Sequence, residues 1–177
     1  DLSGIIQTIP FKADGTAVAV GTAGGVTATT SGTTHDYTSI PAGVRRITVM
    51  YTDLSTAGTS SVIIQLGDSG GVETSGYIGA SVFGITGTIN SQNIPASGFE
   101  VGQSGSAAVV LTGVLVLTLI DAATNKWAAL GIGARTDAAS GLMYAGYKAL
   151  TGTLDRVRLT SVSADTFDAG AFNIIYE

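Results

Sequence analysis

The chain has 177 residues, 45% hydrophobic and 12% charged, with a formal net charge of −5 and no cysteine. That balance excludes the phosphate neutralisation on which nucleic-acid binding rests, and the missing cysteines exclude both a disulfide framework and a zinc–thiolate site. Twenty-five glycines beside only three prolines, in a chain too apolar to be disordered, indicate a single all-β domain with tight turns.

The chain opens on a stretch unlike the rest. No charged-then-apolar leader precedes "DLSGIIQTIP", and a start at Asp1 points to a segment of a longer protein. "KADGTAVAVGTAGGVTATTSGTT" is small and polar and has little to bury. Residues 1–34 therefore read as an extended, stalk-proximal segment, and residues 35–177 as the folded domain. The first clear strand is "RRITVMYT", which puts Ile47, Val49 and Tyr51 on one face and Arg46, Thr48 and Met50 on the other. A polar loop, "DLSTAGTS", leads to a second strand, "SVIIQLG".

That strand runs into Gly-Asp-Ser-Gly-Gly, Gly67 to Gly71, the residues that surround the nucleophile of trypsin-like proteases. A serine is inert without a base in reach. The single histidine, His35, lacks the family's surroundings, and too little chain precedes Ser69 for the two barrels of that fold. The stretch reads as a turn: an aspartate that bonds its own backbone, then glycines that tolerate positive φ. No catalytic residue is assigned.

Further strands are "SGYIGASVFG", "AVVLTGVLVLTLI", "NKWAALGIGAR", "LMYAGYKALTG", "LDRVRLTSV" and "AFNIIYE". The run from Ala107 to Ile120 is shorter than the ~20 residues of a membrane helix, so no membrane insertion is expected. Rich in valine, it reads as a strand buried on both faces. "RTDAASGLMYAGYKAL" is the one place where a helix competes, capped by Asp137, though Gly141 and Gly146 each weaken it by about 1 kcal/mol. In "LDRVRLTSV", Val157 and Leu159 point inward while Arg156, Arg158 and Thr160 point out. About eight short strands joined by glycine turns predict an antiparallel β-sandwich, jelly-roll-like in form. Asp165 and Asp168 could share an ion or cap a turn. No calcium loop is present, and neither a metal nor a cofactor is assigned.

Three groups of residues together resemble a known family: "TSIPAGVRRITVMYTDLSTAGTSSVIIQLGDSGGVETSGYIG", "NKWAALGIGAR" and "GTLDRVRLTSVSADTFDAGAFNIIYE". They are similar to the C-terminal domain of tail-fibre and appendage proteins of tailed bacteriophages and prophages. The shared elements are turns and core positions, covering most of Thr38 to Glu177. The resemblance implies a homotrimeric β-structure at the distal end of a fibre, carried on the virion and acting outside the cell. It also implies attachment to a bacterial surface receptor, here a polysaccharide. A low-charge chain would bury exposed apolar surface in such an assembly, with contacts that include one face of Val109 to Ile120. Sugars stack on aromatic rings, so the ligand candidates are Tyr77, Trp127, Tyr144 and Tyr147, assisted by Asn90, Gln92 and Asn93. A structural trimerisation or capping domain is the alternative, and a polysaccharide-degrading enzyme a third.

Overall fold

The computed structural model describes residues 22–85, 87–102 and 105–177. The described chain is all-β, without a helix, in two antiparallel sheets packed as a sandwich. Its strands are β1 (Thr22–Ala23), β2 (Thr27–Ala28), β3 (Thr34–Tyr37), β4 (Arg46–Thr56), β5 (Val62–Asp68), β6 (Gly71–Val72) and β7 (Ile78–Ile85). They continue as β8 (Thr88–Asn93), β9 (Phe99–Gly102), β10 (Leu111–Asp121), β11 (Lys126–Arg135), β12 (Ser140–Ala149), β13 (Arg156–Ser161) and β14 (Phe167–Tyr176). The larger sheet has nine strands in the order β1-β14-β4-β10-β11-β12-β7-β8, with β2 also on β14. The smaller has five, β3-β13-β5-β6, with β9 also on β5.

The residues of the expected extended segment that are described join the sandwich through main-chain pairing: Thr22 and Ala23 pair with Tyr176 and Ile175, and Thr27 and Ala28 with Phe172 and Ala171. Residues 1–21 lie outside the described residues.

Alternation drives the core. On β4, Ile47, Val49 and Tyr51 are buried; their neighbours on the same face are Leu115 and Leu117 of β10 and Phe172 and Ile174 of β14. Against them pack Val62, Ile64 and Leu66 of β5 and Val157 and Leu159 of β13. At ~25 cal/mol per Å² of apolar surface, this shared layer is the main source of stability. The smaller sheet is narrower, so β9 and the segment before it cover the inner side of β11 and β12. That segment also crosses the outer side of β5: Gln65 Nε2 donates to Ser97 O at 2.9 Å, and a Cβ at Gly98 would lie 2.9 Å from Ile63. Every residue of β5 is consequently buried.

Three expectations need correction. β10 is buried on one face only: Leu115 and Leu117 are inaccessible, whereas Val114 and Val116 are half-buried and Ile120 is exposed. Among the described residues no layer covers its outer side. The possible helix is instead a turn followed by β12; the Asp137 carboxylate accepts from Val110 N and from the Arg135 side chain rather than from a first helical turn. Thr160 is buried, its hydroxyl donating to Thr33 O at 2.8 Å, because β3 covers that edge of β13.

Candidate functional site

The protease-like motif is a two-residue hairpin. Asp68 pairs with Gly71 and Gly67 with Val72, leaving Ser69 and Gly70 as the exposed turn. Gly71 has φ 126°, open to glycine at no steric cost. Asp68 closes the turn by accepting from Gly70 N at 2.8 Å. His35 pairs with Leu159, which pairs with Ile64, five residues before Ser69. At strand spacings this puts the two residues roughly 19 Å apart. His35 stacks edge-on against Phe167, and its buried Nε2 has no hydrogen-bond partner. It cannot serve Ser69 as a base.

Asp68 has a different task. Its other oxygen accepts from Thr151 Oγ1 at 2.9 Å, and the same hydroxyl lies 2.8 Å from Glu73 Oε1. Glu73 is paired with the buried Lys148, whose Nζ also donates to Ala149 O at 2.6 Å. The amide of Gly70, then the Thr151 hydroxyl, hold the Asp68 carboxyl below the usual range; at Glu73, Lys148 and Thr151 outweigh the burial that acts to raise it. The two carboxylates thus pin the turn at Thr151.

Three of the four candidate aromatics belong to the core. Trp127 is 2% exposed and Tyr77 3%. The Tyr77 hydroxyl accepts from Leu66 N and donates to Glu73 O, while its ring meets Phe99 edge-on. Tyr144, also 3% exposed, meets Tyr51 hydroxyl to hydroxyl at 2.7 Å, and Tyr51 donates to Val101 O at 2.7 Å. Burial raises the pKa of all three tyrosines. The Tyr144 and Tyr51 rings fit because Gly113 and Gly131 leave notches: a Cβ at Gly131 would lie 1.9 Å from the Tyr144 ring, and one at Gly113 2.4 Å from Tyr51 Oη. None of these three rings offers a face to a ligand from solvent.

The remaining candidates separate. Tyr147 is 41% exposed on the outer face, with Lys126 Nζ 5.8 Å from its ring centroid. Asn93 shares that face, opposite Ala80, beside the Tyr147–Ile78 pair. Gln92 points inward and donates to the buried Glu100 carboxylate, which also accepts from Ser81 Oγ at 2.6 Å. Asn90, exposed on β8, pairs with Phe83 nearer the other end of the sheet.

What sequence reasoning missed is the outer face of the large sheet as a surface. Its side chains lie in rows across the strands. One row runs Asn173, Met50, Val114, Ile132, Met143 and Val82; the next runs Ile175, Thr48, Val116, Leu130, Ala145 and Ala80. A third holds Arg46, Thr118, Ala128, Tyr147 and Ile78. Arg46 is the one charged residue in these rows, and the large apolar groups Leu130, Ile132 and Met143 among them are open to solvent. The signal was present in the strand alternation, since "NKWAALGIGAR" and "LMYAGYKAL" carry apolar residues at both parities.

Polar loops gather at one end. Ala57 N donates to Thr166 O and Ser60 N to Asp165 Oδ2, joining residues 57–61 to the 162–166 turn. Thr136 N donates to Val110 O, joining the 136–139 turn to the loop before β10. Leu54 and Leu111 pair at this same end. No family model, no curated protein and no solved structure matches the chain.

Proposed function

We propose that this chain is the tip domain of a phage tail fibre or appendage, a homotrimer that attaches the virion to a bacterial surface polysaccharide. The observation that carries the reading is the largely apolar outer face of the large sheet, where Leu130, Ile132 and Met143 are exposed and which a lone domain would leave in water. An extracellular fibre without disulfides gains its stability from such association. The strand order supports a jelly roll: β2, β3, β4 and β5 alternate between the sheets, as do β13 and β14, and β14 sits between β2 and β4. β11, β12, β7 and β8 then extend the sheet beyond the four strands that form demands.

With Tyr77, Trp127 and Tyr144 in the core, recognition falls to the loop end, residues 57–61 and 136–139, and to Tyr147. Thr59 and Thr136 are exposed there and can hydrogen-bond a glycan. A glycan array probed with the 177-residue chain tests the reading. Binding to a defined set of bacterial polysaccharides, lost in a Thr59→Ala/Thr136→Ala variant that melts normally, is the expected result. Silence across the array favours a structural capping domain, a reading that the burial of three aromatics supports. Release of oligosaccharides would replace both with an enzyme.

A further inference from the structure

Two chain crossings meet at the end of the sandwich away from the polar loops. Residues 73–77 carry the chain from β6 of the smaller sheet to β7 of the larger, and residues 150–155 from β12 of the larger to β13 of the smaller. Lys148, Glu73, Thr151 and Asp68 join both crossings to the end of β5 and the inner side of β12. Thr151 N adds a bond to Glu73 Oε1 at 2.6 Å. Of the five ion pairs among the described residues, Lys148–Glu73 is the most buried, its side chains 7% and 17% exposed against 23% to 54% in the others. The Lys148 ammonium also lies 5.7 Å from the centroid of the Tyr77 ring. Arg156, held by Asp155, is the other cation acting on Asp68, and it is partly open to solvent.

We propose that this cluster is an acid-sensitive clamp between the two sheets: on acidification the sandwich opens first at this end, through the 73–77 and 150–155 crossings, while the loop end stays closed. Falling pH discharges a carboxylate but not an ammonium. Once Glu73 and Asp68 are protonated, Lys148 keeps a full charge beside Tyr77 with nothing to offset it, and a buried charge stripped of its partner is strongly destabilising. The ammonium regains water only by leaving the inner side of β12, which displaces both crossings. At the loop end the Arg135–Asp137 pair is more open to solvent, so its loss leaves a guanidinium that water reaches. The Gly70 amide and the Thr151 hydroxyl hold the Asp68 carboxyl below its ordinary value of 3.8; burial acts to raise Glu73 above 4.5 but is outweighed by Lys148 and Thr151. Carboxyls lowered on folding stabilise above those ordinary values and lose the contribution as pH falls below them. The clamp is therefore closed near neutrality and opens on the acid side.

Amide hydrogen exchange of the 177-residue chain, read by mass spectrometry near neutral pH and near pH 3 and corrected for intrinsic rates, tests this. Protection in residues 66–77 and 146–155 is expected to fall by about tenfold or more in acid relative to residues 111–117 of β10 and the 162–166 turn. In Lys148→Met that local acid loss should vanish, because no buried cation remains. Lys148→Met/Glu73→Gln, which also removes the carboxylate left unpaired at neutral pH, gives the same readout if the single variant does not fold. Protection lost evenly across the domain, protection kept at this end in acid, or an unchanged local loss in the lysine-free variants would each overturn the clamp.

Discussion

Gly131→Ala tests the packing logic at the centre of the large sheet. The added Cβ would lie 1.9, 2.5 and 2.7 Å from three atoms of the Tyr144 ring. Ordinary carbon contacts sit near 3.5 Å, so the ring or the β11 backbone must move by about 1.5 Å. The ring has little freedom, because its hydroxyl is 2.7 Å from that of Tyr51 and 3.0 Å from Val114 O. Overpacking a filled core costs about 1–3 kcal/mol, and displacing a buried hydroxyl from its partners adds about 1–2 kcal/mol. The sum, about 2–5 kcal/mol, corresponds to roughly 5–15 °C in melting temperature for a chain of this length. Thermal and urea melts at fixed protein concentration measure it, since association would otherwise shift the midpoint. In a Tyr144→Leu background, itself destabilised, the same substitution should cost under about 1 kcal/mol, because the obstructing ring is gone. Equal costs in both backgrounds, or a cost below about 1 kcal/mol in the natural one, would refute the notch.

Asp137 has its pKa lowered to about 2, chiefly by the Arg135 guanidinium. A depressed carboxyl stabilises the fold above its ordinary value of 3.8 and loses that contribution as pH falls through about 2; Asp137→Asn should therefore flatten the acid limb of urea stability between those values and change little near neutrality. Lys148→Met should destabilise by about 1–3 kcal/mol, because Glu73 keeps its charge and loses its ion-pair partner, and adding Glu73→Gln should recover part of that loss in the same melts. Ser69→Ala should leave the melting temperature and any measurable activity unchanged; a hydrolytic activity abolished in that variant, with the fold intact by circular dichroism, would show the turn to be more than a turn.

Sequence reasoning reached the strands because alternation is local. Ile47, Val49 and Tyr51 declared the inner face of β4 without reference to anything distant, and the opposite directions of Tyr144 and Tyr147 followed from a spacing of three. Which of the two faced the core did not follow, since parity carries no sign until a neighbour is known. Tyr77 and Trp127 were ambiguous for the same reason, as a buried and a stacking aromatic look alike in one dimension. β10 was misjudged because an apolar residue signals only that something should cover it, not whether the cover comes from its own chain. The Lys148–Glu73–Thr151–Asp68 cluster was beyond reach: its members come from β5, the β6–β7 connection, β12 and the following turn, and nothing in their spacing marks them. The loop end was visible as composition, but the meeting of residues 57–61 with 162–166 depends on the β4–β14 pairing.

The place of β14 has a consequence for how the molecule is made. It lies between β4 and the β1–β2 edge, so the last of the described strands in chain order fills an interior position. Met50 waits for Asn173, and Thr22 for Tyr176, across most of the chain. Synthesis at roughly 5–20 residues per second leaves the nascent chain without that strand for several seconds or longer. During that time β4 carries an open edge. A nascent chain therefore holds an incomplete large sheet until β14 has left the ribosome.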